Sequence, residues 1–131
     1  MYYIFIDPGS SKFGWAVYCD NRLLEHGVYL KEEFNTFILK KSDEFFNLKV
    51  VIGDGTTHKF YISILNQYFP SIDCELIDEK YSTEEARKKY FQFNPPKWWK
   101  RFIPVSLLVP EKEYDDYTAI VLAERYFKSS E

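Results

Sequence analysis

Three acidic positions in this chain stand at one kind of place: Asp7 after the apolar run Tyr2-Tyr3-Ile4-Phe5-Ile6, Asp78-Glu79 after Cys74 to Ile77, and Asp115-Asp116 at the opening of a last helical segment. Ligands of open sheets with parallel strands gather beyond the carboxyl ends of those strands, so three such acids can converge. Crowded carboxylates repel one another unless a cation lies between them, and their hard oxygens suit magnesium or manganese. Two such ions about 4 Å apart can activate water and stabilise the departing oxygen in phosphodiester hydrolysis. Plainer roles are also open to these acids. Asp7 can cap its own turn, and Asp115 and Asp116 suit a helix start. Asp54 in Gly53-Asp54-Gly55 is a turn residue first and a fourth ligand second. Ser82-Thr83-Glu84-Glu85 fits a capping box with Ser82 as N-cap, which leaves Glu79, lying before the cap, without such an account.

The elements that must position these residues follow from periodicity. Alternation sets Tyr3, Phe5 and Asp7 on one face and Tyr2, Ile4 and Ile6 on the other, so the first strand is apolar on both faces until the acid, as a central strand is. Pro8 keeps Asp7 extended and Gly9 permits the turn. Gly14, in the returning strand, predicts close backbone approach. Asp20-Asn21 reads as a two-residue hairpin turn into a third strand over Arg22 to Leu30. Phe34, Phe37, Ile38 and Phe45 predict a helix over residues 31 to 46. A strand over Leu48 to Ile52, a helix from His58 to Phe69 stopped by Pro70, a strand over Cys74 to Ile77 and a charged helix over 82 to 93 follow. Asn94-Pro95-Pro96 opens an irregular connection over 94 to 112, and Ala119, Leu122, Ala123 and Tyr126 mark a final helix from about Asp115 to Lys128. The order βββαβαβα, then a loop and a helix, predicts an antiparallel meander followed by parallel strands in one α/β domain.

With 131 residues, 46% of them hydrophobic, the chain fits a single domain over 1–131. A net charge of -3 argues against indiscriminate coating of nucleic acid, though not against a local basic patch. Cys19 and Cys74 form no ligand pattern, and His26 and His58 are isolated in sequence, which argues against zinc. The cysteines are consistent with reduced thiols, and a disulfide between them is also compatible with the sequence. With no signal-like segment and no apolar run long enough for a membrane span, the expectation is a soluble cytoplasmic protein.

The same residues carry a family resemblance. Asp7-Pro8-Gly9 followed by Gly14-Trp15-Ala16 resembles the D-x-G-x-x-x-x-G-x-A motif that opens ribonuclease H-like domains. Asp78-Glu79-Lys80-Tyr81-Ser82-Thr83-Glu84-Glu85-Ala86 resembles the D-E-R-x-[ST]-T-x-x-A motif of the YqgF/RuvX family, and Asp116-Tyr117-Thr118-Ala119-Ile120 is similar to its final D-x-x-A-A motif. The three occur in order and span nearly the whole chain. Lys80 stands where the family has Arg, keeping the charge but not the planar fork. Ile120 replaces an Ala, Lys12-Phe13 loosely matches a basic-apolar pair, and Gly53-Asp54-Gly55-Thr56 is closer to the Gly-Asn-Gly-Thr of YqgF-like domains in larger RNA-binding proteins than to the family's Gly-Leu-Pro.

The resemblance implies a ribonuclease H-like fold, three layers αβα around a five-stranded mixed sheet, and a relationship to RuvC-type Holliday junction resolvases. It implies that Asp7, Glu79 and Asp116 are metal-binding catalytic carboxylates for Mg2+ or Mn2+. The expected partner is a DNA junction or structured RNA, including the precursor of small-subunit ribosomal RNA, bound by a monomer or a homodimer. Lys97-Trp98-Trp99-Lys100-Arg101, beside the last acid, sets two indoles among three cations, a pattern that can stack unpaired bases and contact phosphates. The same indoles can instead tuck the loop onto the core. Lys12 joins them as a candidate contact. The sequence thus reads as a metal-dependent endonuclease-like protein, and its alternative as a non-catalytic nucleic-acid-binding module of the same fold.

Overall fold

The structure, a computed structural model, describes residues 1–55, 57–78, 80 and 115–129, without the side chains of Asp115 and Ser129. Strands β1 (Tyr2–Pro8), β2 (Lys12–Cys19) and β3 (Arg22–Leu30) lead through a 3-10 turn (Lys31–Glu33) into α1 (Phe34–Glu44). Strand β4 (Leu48–Gly53), α2 (His58–Tyr68), β5 (Asp73–Ile77) and α3 (Asp115–Ser129) follow. The sheet order is β3-β2-β1-β4-β5. β2 lies antiparallel to both β1 and β3, whereas β4 lies parallel to both β1 and β5. This is the expected mixed sheet of three antiparallel strands then two parallel ones. The expected helix over 82 to 93 and the connection over 94 to 112 lie outside the described residues.

Each face of the sheet has its own apolar layer, as the alternation in β1 requires. Ile4, Ile6, Phe13, Trp15 and Val17 pack with Phe34, Phe37 and Ile38 of α1 and with Tyr61 and Leu65 of α2. Phe5, Ala16, Tyr18 and Val51 pack on the other face with Ala119, Ile120 and Ala123 of α3. The three layers αβα are therefore present. Burying each large apolar side chain here contributes about 1.5–3 kcal/mol, so the central strand, with Ile4, Phe5 and Ile6 fully buried, anchors both cores. Among the described residues no helix is long and apolar enough to cross a membrane.

Two local departures from the expected elements have physical causes. The helix predicted to reach residue 46 ends at Glu44, because Phe45 turns extended (φ -120°, ψ 136°) and sets its ring 4.7 Å from that of Tyr2. Asn47 then takes a left-handed φ of 52°, which Asn tolerates, and the chain enters β4. In β3 the register shifts opposite Val17 and Tyr18, with Val17 facing Glu25 and Tyr18 facing Leu23. Leu24 is thus the extra residue of a β-bulge.

That register puts Glu25 on the α1 face, where its carboxylate accepts a hydrogen bond from Lys41. Lys41 is itself buried, donates also to Glu44 at 3.3 Å and lies 5.3 Å from the centre of a Trp15 ring. Burial lowers its pKa, but the hydrogen bonds and charges of Glu25 and Glu44 outweigh that, and the ammonium ends above the usual lysine value. Its contribution to stability is therefore complete below that usual value and is lost as pH rises through the elevated one. We expect Lys41→Ala to cost about 2 kcal/mol in a urea titration, less than a fully buried pair because the two half-exposed glutamates can rehydrate. An unchanged midpoint would show that the pair contributes no net stability.

Candidate functional site

The parallel pairing of β1, β4 and β5 brings their carboxyl ends to one edge of the sheet. The last β1–β4 pair is Ile6 with Ile52, and Gly53 in turn pairs with Ile77. Asp7, Asp54 and Asp78 are the residues that follow, one on each strand end. Asp7 is opposite Gly14 and half-buried. Phe5, two residues before it, packs against α3, so alternation assigns Asp7 to the α3 face.

The turn after Asp7 is fixed from below by α2. A Cβ on Gly9 would lie 2.1 Å from the Lys12 carbonyl oxygen, so only glycine permits the chain to double back this tightly. The Tyr61 hydroxyl donates to the Gly9 carbonyl at 2.7 Å, and the Thr57 hydroxyl donates to the Pro8 carbonyl at 2.8 Å. On its other side the Ser11 carbonyl accepts the Lys31 N–H at 2.9 Å. Burial pushes the Tyr61 phenol up to about 12, reinforced by the negative charges of Asp7 and Glu32. The neighbouring β4–α2 turn is held too, with the Asp54 N–H donating to the Ile77 carbonyl at 2.9 Å and His58 Nδ1 lying 2.6 Å from the Gly55 carbonyl.

Asp116, near the start of α3, is a buried carboxylate, 8% exposed. Its Oδ1 accepts the Tyr117 N–H at 3.1 Å, which accords with a helix-start role at the positive end of the dipole. Its Oδ2 lies 2.6 Å from Nδ1 of His26, ninety residues away in the chain. His26 was not among the candidates. It is in register with Ala16, which is in register with Phe5, so His26 falls on the α3 face in a row whose middle member is small. Ala16, Ala119 and Ala123 let α3 approach the sheet closely enough for Asp116 to reach it. Strand alternation within β3 gives no partner for His26; only the bulge and the sheet register do.

The other candidates are distributed unevenly. Asp78 takes the turn role: its Oδ1 accepts the Lys80 N–H at 3.0 Å, and its carbonyl accepts from Arg125 of α3 at 3.2 Å. Lys12 is half-buried at the start of β2, just beyond the Asp7 turn. Glu79, Lys97, Trp98, Trp99, Lys100 and Arg101 lie outside the described residues. Among the described residues no three His, Cys, Asp or Glu side chains stand close enough together to hold a metal ion. Asp7 and Asp116, the members of the proposed carboxylate set among the described residues, nonetheless offer hard oxygen donors assigned to the same sheet face, a donor type that fits Mg2+ or Mn2+. Soft donors are elsewhere: Cys74 packs against the opposite core, and burial with the charges of Asp73 and Glu75 pushes its thiol up to about 11. Cys19 and Cys74 are free thiols.

An antiparallel meander continued by parallel strands, covered by α1 and α2 on one face and α3 on the other, defines a ribonuclease H-like fold. The solved structures with this architecture include RuvC. "T. thermophilus RuvC in complex with Holliday junction substrate" matches with a TM-score of 0.59 at 13% identity, over 99% of this chain and 96% of that one. "Thermus thermophilus RuvC structure" matches with a TM-score of 0.59 at 12% identity, over 99% and 96%. The fold is thus RuvC-like. No protein-family model matches the chain, and no curated protein does.

The glycine and tyrosine under Asp7 generate a paired prediction. Gly9→Ala must displace the backbone at Lys12 and should cost about 2 kcal/mol or more, whereas Tyr61→Phe should cost about 1 kcal/mol. Because folded Tyr61 keeps its proton to about 12 and the unfolded phenol loses it near 10.0, its contribution is full below pH 10 and is lost as pH rises to 12. Urea midpoints measured across that window should therefore fall less steeply in Tyr61→Phe than in the parent chain.

Proposed function

We propose that this chain is a divalent-metal-dependent phosphodiester hydrolase acting on structured nucleic acid in the cytoplasm, with residues 1–131 as one catalytic domain. The observation that carries this reading is the placement of Asp7 and Asp116 on the same face of a RuvC-like sheet, with Asp7 on a rigid turn at the carboxyl end of the central strand. Glu79, which follows the β5 turn residue Asp78 in sequence, completes the proposed carboxylate set.

In this reading Asp7, Glu79 and Asp116 hold Mg2+ or Mn2+, and the bound ions supply Lewis acidity toward water and toward the scissile phosphate. The chain contributes fixed carboxylate positions. The Thr57 and Tyr61 clamp prevents the Asp7 turn from drifting, and burial holds Asp116 against the sheet. Lys12, Lys97, Lys100 and Arg101 contact phosphates, while Trp98 and Trp99 stack on unpaired bases. The RuvC complex with a Holliday junction supports a branched substrate, and symmetric cutting of one requires a homodimer. A monomer suits a structured RNA, such as a ribosomal RNA precursor.

Junction, flap, duplex and ribosomal-precursor substrates incubated with Mg2+ or Mn2+ test the proposal. Wild-type chain should cut at least one of them, and Asp7→Asn should reduce the rate by a factor of about 100 or more, as expected when a ligand of the reacting ions is removed. Cleavage unchanged by that substitution would remove Asp7 from the chemistry. Binding without cleavage would favour the non-catalytic module.

A further inference from the structure

The 2.6 Å contact between His26 and Asp116 joins β3 to α3 beside the proposed site and has no part in the reading so far. We infer that His26 is a positioning residue, holding Asp116 in the orientation in which it takes up a divalent cation. The inference rests on the metal-binding reading of Asp116.

The chemistry of the pair fixes its direction. An ionised carboxylate only accepts hydrogen bonds, so the proton between the two groups belongs to Nδ1 of His26, and the bond is charge-assisted. The Tyr117 N–H occupies Oδ1 and the imidazole occupies Oδ2. Each carboxylate oxygen has two acceptor sites, so one on each remains for a cation. Asp116 is carried by a helix terminus, where a side chain with one such tether to its own backbone can still rotate. The second tether runs to β3, whose backbone is locked in the sheet ladder opposite Ala16. The imidazole is braced in turn by the Tyr117 ring, whose centre lies 5.7 Å from its own. Carboxylates that ligate metals characteristically have such hydrogen-bonded supports, and losing one weakens metal affinity about 10–100-fold.

The test is Mn2+ binding to the full chain, followed by the electron paramagnetic resonance of free Mn2+, alongside urea unfolding without metal. Wild type should bind Mn2+ and Asp116→Asn should lose it. His26→Leu should bind 10–100-fold more weakly. His26→Asn, whose amide nitrogen replaces Nδ1 at the same reach, should recover most of the affinity, and His26→Gln, whose amide extends past that point, should not. The Asn and Gln pair carries the comparison if Leu impairs folding. Wild-type affinity in His26→Leu, with Asp116→Asn defective, would overturn the role of His26 alone. Equal weakening by Asn, Gln and Leu would assign the effect to packing rather than to the hydrogen bond, and would also overturn it. No Mn2+ binding by wild type, or none lost in Asp116→Asn, would instead remove the metal-binding reading and this inference with it.

Discussion

β1 is hydrogen-bonded along both edges and packed on both faces, and the candidate site is a consequence of that confinement. A charge within Ile4-Phe5-Ile6 would sit unpaired in an apolar core at a cost of several kcal/mol. Asp7 is the first position along the strand where the burial relaxes. The parallel partners β4 and β5 end at the same level, so their following residues meet the same edge. The carboxyl end of β1 is therefore where the central strand can first present an acid.

Rigidity comes from the α1–α2 side, while closure comes from the α3 side. Thr57 and Tyr61 grip two successive carbonyls of the Asp7 turn, and Gly9 lets that turn be tight enough for both to reach. On the opposite face a set of alanines allows α3 to settle near the sheet, which brings Asp116 to His26. Arg125 ties the same helix to the end of β5. The two carboxylates are thereby held through different layers of the sandwich, and their relative placement depends on both cores being well packed.

The mixed sheet was legible because its signals are local. Alternation with apolar residues on both faces marks β1, Asp20-Asn21 marks the hairpin, and helical spacing marks α2 and α3. Among the described residues the departures lie at element ends: Phe45 satisfies a helical period in sequence but is drawn extended by the ring of Tyr2. Asp78 shows the same kind of limit, since an acid at a strand end reads alike whether it holds a turn or a ligand, and here its carboxylate holds Lys80.

Strand type, strand end and the placing of Asp7 and Asp116 at element boundaries were determined by the sequence alone, because period-2 and period-3.6 patterns and turn chemistry act over a few residues. The contact between His26 and Asp116, the grip of Tyr61 on Gly9 and the burial of Lys41 against Glu25 were decided only by the tertiary structure. Each joins residues from different elements, and the contacts of His26 and Glu25 depend in addition on a sheet register that one bulge in β3 resets. A one-residue change of register sends a strand's side chains to the other face, so no local pattern could have placed an isolated histidine beside a carboxylate ninety residues away.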